Sequence, residues 1–337
     1  MPDPSRRAFA LGLAACAGLA AAGLAARPAG QFVVIGGGPA GAAAALALRS
    51  TNPRATVLLV ERDPARLADA ETDPAAARFN PPRSGSSLAR LTAAGIGVML
   101  DDVQQIDWPA ARAELFSGRR IAFDTLVLAP GTAPRAEAIA GLDAHARHTW
   151  PAAWGNMREA RRLAAQLAAL PEAGHVVLRL PAGLGHPEAA LGRALALARH
   201  LAERRPAARL TVLDADPASA LAPAFAKAAR GTLRQVTWLT AAEGAALRSV
   251  DARRGLLDTE AGLIRADVVN FLTPQQAGTI AVTAGLADGS GWCPCDAAGL
   301  SARQPGAIIL GDARKGATRT RAAALASGAR IGPVRAG

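Results

Sequence analysis

Short apolar runs alternate with alanine- and leucine-rich segments along this chain, a pattern that predicts an α/β fold. The run at 32–35 has no polar residue, as in strands that are buried on both faces of a parallel sheet. Helical composition follows at 42–48, and a second apolar run at 55–60 predicts the next strand. Strand, helix and strand in this order indicate a βαβ unit.

The same pattern returns in the second half of the sequence. Helices are predicted at 156–170 and 191–204, and strands at 175–180 and 209–213. Each half also contains a predicted hairpin that is followed by an aspartate and an apolar strand. The hairpins lie at 113–123 and 256–265, the aspartates are Asp124 and Asp267, and the strands lie at 125–129 and 268–272. This repetition predicts two related α/β units.

A glycine-rich turn connects the first predicted strand to its helix. Gly36, Gly38 and Gly41 follow the spacing that permits a tight turn, a close approach of backbone N–H groups to a pyrophosphate, and close packing of helix on strand. Glu61 follows the second strand, where an acid accepts hydrogen bonds from a ribose. Together these features predict a dinucleotide site, and the alternative is a glycine-rich turn that binds nothing.

A second candidate contact lies near the end of the chain. There an apolar strand runs into Gly311 and Asp312 at a predicted helix start. A carboxylate in this position can accept hydrogen bonds from ribityl hydroxyls, and the N–H groups can face a flavin. The combination predicts FAD, with contacts from Gly36, Gly38, Pro39, Ala40, Gly41, Glu61, Arg62, Val103, Gly131, Gly311 and Asp312.

These features predict a discontinuous FAD-binding domain with a second domain inserted into it. We expect an export signal at 1–30, the first part of the FAD domain at 31–138, a second Rossmann-like domain at 139–264, and the rest of the FAD domain at 265–337. The turn after the strand at 175–180 contains Gly183 and Gly185. Pro187 then interrupts the motif, so that neither a third small residue nor a clean helix start follows. The second domain is therefore expected not to bind NAD.

Charge and cysteine content exclude several classes of protein. The formal net charge is +11, yet the basic residues are scattered and only 4% of residues are aromatic, so no nucleic-acid partner is expected. A bias toward Ala and Arg explains the charge, which would also favour an acidic partner surface. Cys16, Cys293 and Cys295 form neither a disulfide framework nor a four-ligand metal set, and we expect no metal.

The N-terminus has the features of a twin-arginine export signal. Arg6 and Arg7 precede a charge-free stretch at 8–26, and small residues follow. This pattern predicts a periplasmic protein with no stable membrane span after signal removal. A retained membrane anchor and a lipoprotein modified at Cys16 are the alternatives.

The motifs in their order resemble those of flavoproteins of the glutathione-reductase type. They are GGGPAG with Glu61, LVLAPGT at 126–132 and LGDA at 310–313. The block at 272–296, with LTPQQAGTIA and GWCPCD, is similar to the flavoprotein subunit of flavocytochrome c sulfide dehydrogenase. The resemblance implies two Rossmann-like domains and a periplasmic FAD protein that takes electrons from sulfide and passes them to a c-type cytochrome.

The sequence departs from this family at the redox disulfide that the resemblance implies. The two family cysteine positions fall at about His186 and at Arg314. His186 is either a proton carrier or a loop histidine, and Arg314 is either a fixed cation near the flavin or an arginine paired to solvent or phosphate. A disulfide between Cys293 and Cys295 would be strained, so two free thiols are expected. The family also implies a further C-terminal domain, which this sequence, ending at Gly337, is expected not to contain.

Three functions are consistent with these observations. The first is an exported FAD-dependent oxidoreductase that passes electrons from a sulfur compound to a c-type cytochrome, with altered chemistry because the disulfide is missing. The second is a non-catalytic partner subunit of a sulfur-oxidation complex that binds FAD or keeps only the fold. The third is an NAD(P)H-dependent flavin reductase, which the turn before Pro187 disfavours.

Overall fold

The computed structural model describes residues 30–67, 79, 86–230 and 235–331. The predicted export signal lies outside these residues. Within them, no helix combines the length and the apolar composition that a membrane crossing requires.

The described residues contain both helices and strands, and several strands follow one another without a helix between them. The strands are β1 (Gln31–Ile35), β2 (Thr56–Glu61), β3 (Gly97–Leu100), β4 (Val103–Asp107), β5 (Arg112–Leu115), β6 (Arg120–Ala122), β7 (Thr125–Leu128), β8 (Thr132–Pro134), β9 (His175–Leu180), β10 (Arg209–Asp214), β11 (Val236–Thr240), β12 (Leu247–Asp251), β13 (Leu256–Thr259), β14 (Gly262–Arg265), β15 (Val268–Phe271), β16 (Gln275–Ala277) and β17 (Ala307–Ile309). The α-helices are α1 (Pro39–Thr51), α2 (Leu88–Ala93), α3 (Ala144–Thr149), α4 (Met157–Ala168), α5 (Pro187–Arg204), α6 (Leu221–Ala229), α7 (Thr279–Thr283) and α8 (Arg321–Ala329).

Two parallel sheets form the framework. The larger has the strand order β17-β7-β1-β2-β3, and the smaller has the order β11-β10-β9-β15. In each sheet the chain first adds strands on one side of the initial strand and later returns to its other side. The connection therefore reverses direction beside β1 and beside β9, which is where open α/β sheets bind ligands.

One hydrogen-bond pattern repeats in the two sheets and confirms that the two α/β units are related. The backbone N–H of Gln31 donates to the carboxylate of Asp124 at 2.6 Å, and the N–H of Asp124 donates to Gln31 at 2.9 Å. His175 and Asp267 make the same two contacts, at 2.8 and 2.9 Å. In both units, an aspartate that precedes the returning strand sets the register of the first strand.

The structure corrects the sequence prediction in two places. Strand β15 pairs with β9 in the smaller sheet, so the predicted boundary at 264–265 falls too early and the second unit extends past Phe271. Helix α5 begins at Pro187 rather than at residue 191. Proline is well suited to the first helical position because its missing N–H has no partner there in any helix. The rest of the predicted domain division stays a prediction.

The chain between the two units is held by a buried ion pair. Both terminal nitrogens of Arg179, in the core of the smaller sheet, donate to Glu137 at 2.7 Å. The side chains of Arg179 and Glu137 are only 6% and 17% exposed. Arg179 also donates to the carbonyl of Leu272 at 2.8 Å and lies 4.9 Å from the ring centroid of Phe271. This pair therefore joins the segment that enters the second unit to the segment that leaves it.

We predict that Glu137→Ala destabilises the protein by about 3 kcal/mol, because it leaves a guanidinium buried without its carboxylate. Denaturant unfolding measures the change. Glu114→Ala is the matched control, since it breaks an ion pair whose side chains are 67% and 36% exposed, and should cost less than about 1 kcal/mol. Equal losses in the two variants would contradict the role assigned to the buried pair.

A second prediction concerns His175, which lies inside the smaller sheet. Burial lowers the pKa of this imidazole below its ordinary value. Its ring nitrogens contact the carbonyl of Arg265 at 2.7 Å and the hydroxyl of Thr211 at 2.8 Å. The unfolded chain binds a proton more readily, so the unfolding free energy should fall as the pH drops below about 6.5. His175→Gln should flatten this fall, whereas the exposed His145→Gln should not.

Candidate functional site

The glycine-rich turn lies at the carboxyl ends of β1, β7 and β17. The N–H of Gly36 donates to Val60 at 2.8 Å, and the N–H groups of Ala129 and Leu310 donate to Ile35 and Leu128, also at 2.8 Å. These bonds align the ends of four neighbouring strands. Two cavities, of about 550 and 200 Å³, open there on either side of Gly38, and both are lined by Gly38, Arg66 and Ala129.

Gly36 and Gly41 are required by the backbone itself. At Gly36 φ is +101°, and a Cβ would lie 2.3 Å from the carbonyl oxygen of Ala129. A Cβ at Gly41 would lie 1.8 Å from the carbonyl oxygen of Gly36. Neither distance is compatible with a side chain, so these two glycines let α1 turn back against the strand ends.

Gly38 differs from both, because its surroundings are open. A Cβ there would meet only Nη1 of Arg66, at 3.6 Å. Gly38 is the N-cap of α1, whose first helical residue is Pro39. The exposed N–H groups of a helix start and a neighbouring guanidinium attract an anion to the space that a side chain would have filled. This arrangement suits a pyrophosphate.

Glu61 lies at the smaller of the two cavities. Its side chain is 4% exposed and accepts hydrogen bonds from the N–H groups of Gly37 and Asp63. Two N–H donors hold the carboxylate as an acceptor, which is the group that a ribose needs. Val103 and Arg62 line the same cavity. The space is thus built for a nucleoside at the end of the turn.

Asp312 lies at the larger cavity, on the opposite side of Gly38. Gly311 has a φ of +67°, and its N–H donates to the hydroxyl of Ser327 at 3.1 Å. A helix starts at this point as predicted, in the form of a short 3-10 helix at Gly311–Ala313, and α8 begins at Arg321. The cavity also contains Gly131, so the predicted contacts at three strand ends meet in one space.

The two cavities and the space at Gly38 have the arrangement that the three parts of FAD (adenosine, pyrophosphate and flavin) require. The open space at Gly38 separates an acid-lined nucleoside cavity from a larger cavity with a carboxylate at its edge. Helix α8 packs so closely on α1 that a Cβ at Gly328 would lie 2.0 Å from the carbonyl oxygen of Ala40. This close packing fixes the segment after Asp312 against the turn.

The corresponding turn of the second unit has a different structure. Six residues, 181–186, separate β9 from α5, whereas three separate β1 from α1. His186, 4% exposed, is the N-cap of α5 in the position that Gly38 holds in the first unit. Asp214, at the end of β10, accepts hydrogen bonds from Ser219 at 2.6 Å and from Trp238 at 3.3 Å. The helix N-cap of this turn is therefore a buried histidine and not an open glycine, and both hydrogen bonds to Asp214 go to its Oδ2.

His186 and Arg314 lie in different surroundings. His186 lies in the loop between β9 and α5, as one of the two alternatives expected, and there it is buried, packs edge-on against Trp154 and lines the larger cavity. Arg314 lines neither cavity; its Nε lies 3.2 Å from Sγ of Cys295, and its Nη2 donates to the carbonyl of Asp296 at 2.7 Å. These contacts direct the Arg314 guanidinium toward Cys295 and Asp296, and its role beside the flavin stays a prediction.

Arg319, which the sequence analysis missed, is a cation of the larger cavity. Its guanidinium lies 3.4 Å from the ring centroid of Trp292, and its Nε donates to the carbonyl of Asp312 at 3.1 Å. Only the position of Trp292, known from the structure, could have distinguished this arginine from its neighbours in sequence.

The two cysteines near Arg314 are free thiols. Burial raises the pKa of Cys293 to about 12, so this thiol stays protonated at neutral pH. Cys295 is half-buried and receives the contact from Arg314. The described residues thus contain no disulfide, in agreement with the prediction of two free thiols.

Comparison with protein families gives two matches that together span 30–273. Residues 30–168 match the model of the pyridine nucleotide-disulphide oxidoreductases. Residues 160–273 match the central region of the flavoprotein chain of sulfide dehydrogenase (flavocytochrome c). This chain is a sulfide dehydrogenase-like flavoprotein. Its cofactor is FAD, which both families bind.

Solved structures confirm the fold of this sulfide dehydrogenase-like flavoprotein. An NAD-dependent persulfide reductase from A. fulgidus superposes with a TM-score of 0.69 at 19% identity, covering 89% of this chain and 58% of the other. Sulfide:quinone oxidoreductase from Aquifex aeolicus gives 0.66 at 20%, covering 89% and 76%. Reduced CoADR-RHD from Bacillus anthracis gives 0.66 at 16%, covering 90% and 56%. The chain thus spans little more than half the length of two of these proteins.

The predicted FAD contacts of the sulfide dehydrogenase-like flavoprotein differ in which cavity they line. One group lines the larger cavity, a second lines the smaller cavity, and Gly38 lines both. Gly41 lines neither and acts through the backbone. The larger cavity contains Pro39, Ala40, Gly131, Gly311 and Asp312, and the smaller contains Gly36, Glu61, Arg62 and Val103.

We predict that Gly38→Ala weakens FAD binding by about tenfold, equivalent to about 1.4 kcal/mol, without changing the stability of the FAD-free protein. The added methyl group enters open space but occupies the position proposed for the pyrophosphate. Flavin fluorescence titration measures the affinity, and thermal unfolding measures the stability. Gly192→Ala, also into open space but on α5 outside both cavities, is the control. Unchanged affinity in Gly38→Ala would contradict the assignment.

Proposed function

We propose that this protein is an exported FAD-dependent oxidoreductase that passes electrons from a sulfur compound to a c-type cytochrome partner. The observation that carries the proposal is the pair of cavities joined at Gly38, with Glu61 on one side and Asp312 on the other. The match of 160–273 to the sulfide dehydrogenase flavoprotein supports the sulfur donor and the cytochrome partner. The paired Arg6 and Arg7 support export by the twin-arginine route to the periplasm.

The chain's own residues provide the binding and orientation. The N-terminus of α1 and Arg66 neutralise the phosphates, Glu61 accepts from the ribose, and Asp312 accepts from the ribityl chain. Bound FAD supplies the transfer of one or two electrons, which no side chain in the cavity can perform.

The chemistry differs from attack of sulfide on a disulfide. A disulfide reaction needs two thiols beside the flavin, and the family positions hold His186 and Arg314 instead. Cys293 is unsuited to replace them, because its thiol is buried and its pKa is raised to about 12. We therefore propose that the sulfur donor acts on the cofactor without a covalent protein–sulfur link.

A second candidate function is a non-catalytic FAD-binding subunit of a sulfur-oxidation complex. The same absence of thiols at positions 186 and 314 favours it. An NAD(P)H-dependent reductase has less support. In the second unit a six-residue turn with the buried His186 at the N-cap of α5 replaces the three-residue turn and the open Gly38 of the first unit, where the dinucleotide is proposed to bind.

An anaerobic titration separates these functions. We expect a reduced sulfur donor (sulfide, sulfite or thiosulfate) to bleach the visible flavin band, oxidised c-type cytochrome to restore it, and NADH to have no effect. Cys293→Ser and Cys295→Ser are the controls, and each should leave the bleaching rate within about twofold of the wild type, because neither thiol takes part.

Other outcomes would point elsewhere. A flavin band that no sulfur donor bleaches would favour the non-catalytic subunit. Bleaching by NADH would favour the reductase. Loss of sulfide bleaching in Cys295→Ser would contradict a mechanism without a protein thiol.

A further inference from the structure

We propose that Arg319 forms an anion subsite in the larger cavity, and that it takes a small sulfur oxyanion such as sulfite or thiosulfate. The inference rests on the proposed function for the choice of sulfur, but the anion site itself rests on the geometry of Arg319. With this subsite the protein would take an anionic sulfur substrate, and the reaction of sulfide with a protein disulfide would not be needed.

The first observation is the rigid position of the guanidinium. Its Nε donates to the carbonyl of Asp312 at 3.1 Å, and its Nη2 to the carbonyl of Arg314 at 3.4 Å. Its plane lies 3.4 Å from the ring centroid of Trp292. Three contacts on the main chain and an indole therefore fix the charge before any ligand arrives, which reduces the entropy lost on binding.

The second observation is the side of Arg319 that stays available. The Asp312 carboxylate acts on the guanidinium by its charge, and the third nitrogen of Arg319, Nη1, lies beside Gly185. A Cβ placed on Gly185 would lie 3.4 Å from Nη1 and 3.7 Å from the Trp292 ring. The absent side chain at Gly185 thus leaves room beside the donor.

The third observation is the polarity of the cavity wall around Arg319. Gly185 and His186 lead into α5, and Thr320 caps α8, so two helix starts besides that of α1 lie at this cavity. Helix starts add partial positive charge to that of the guanidinium. Glu188 and Asp312 lie at the same cavity, which restricts the anion to the part nearest Arg319. Burial also lowers the pKa of Arg319, a cost that a bound anion would offset.

The size and chemistry of this space favour a small ligand. The larger cavity has about 550 Å³ in total, and the flavin end of FAD must occupy much of it if the proposed function is correct. A planar guanidinium binds an oxyanion through its N–H donors, which neutral hydrogen sulfide cannot match. A small oxyanion therefore fits both the remaining volume and the donor.

Isothermal titration of the full protein with sodium sulfate, a redox-inert probe, tests the subsite at constant ionic strength. We expect one saturable site in the FAD-loaded protein, with at least tenfold weaker binding in Arg319→Gln and an intermediate loss in Arg319→Lys. Arg314→Gln is the matched control: it removes the same charge five positions away, outside the cavity, and should bind as the wild type does. Thermal unfolding checks that each variant is folded.

The remaining outcomes are also decisive. Equal binding by Arg319→Gln and Arg314→Gln, or no saturable binding, would overturn the proposal. Sulfate binding that FAD abolishes would overturn it too, because Arg319 would then belong to the nucleotide phosphates. If Arg319→Gln does not fold, equal sulfate binding by Arg319→Lys and by the wild type would overturn the proposal that the planar guanidinium of Arg319 binds the oxyanion through its N–H donors. A protein that binds sulfate through Arg319 but takes up no FAD would refute the proposed function and leave the subsite intact.

Discussion

The close approach of α1 to the ends of β1 and β7 is the constraint on which the site depends. Side chains at Gly36 and Gly41 would collide with backbone carbonyl oxygens at 2.3 and 1.8 Å. Because these two positions are glycine, α1 begins directly over the strand ends, and its N-terminus faces the space at Gly38. The two cavities, and the contact between α1 and α8, follow from that placement.

The two units show how one architecture can be kept while its binding function diverges. Both begin with a strand whose register an aspartate sets, and both reverse strand order beside that strand. They differ in the turn that follows. Three residues and an open glycine in the first unit become six residues and a buried histidine in the second. The second unit instead contributes Gly185 and His186 to the wall of the larger cavity.

Local sequence patterns predicted the elements that local physics determines. Apolar runs identified β1, β2 and β7, and predominantly apolar runs identified β9, β10 and β15, because strands buried on both faces have few polar positions. The short strands β8 and β16 were missed because they pair with each other across about 140 residues of the chain, and β12 was missed although its partner β13 follows closely. The boundary at 264–265 failed for the same reason as β8 and β16: the partner of β15 is β9, about ninety residues earlier. Arg319 was missed because its role depends on Trp292, which only the tertiary fold places against it.

The central claim is that FAD lies across Gly38 with its adenosine toward Glu61 and its flavin toward Asp312. A crystal structure of the protein grown or soaked with FAD tests this claim most directly. The account predicts ribose hydroxyls at the Glu61 carboxylate, phosphate oxygens at the N-terminus of α1 and the isoalloxazine in the larger cavity beside Arg319. Density for the nucleotide at the turn before α5, or a reversed orientation across Gly38, would contradict it.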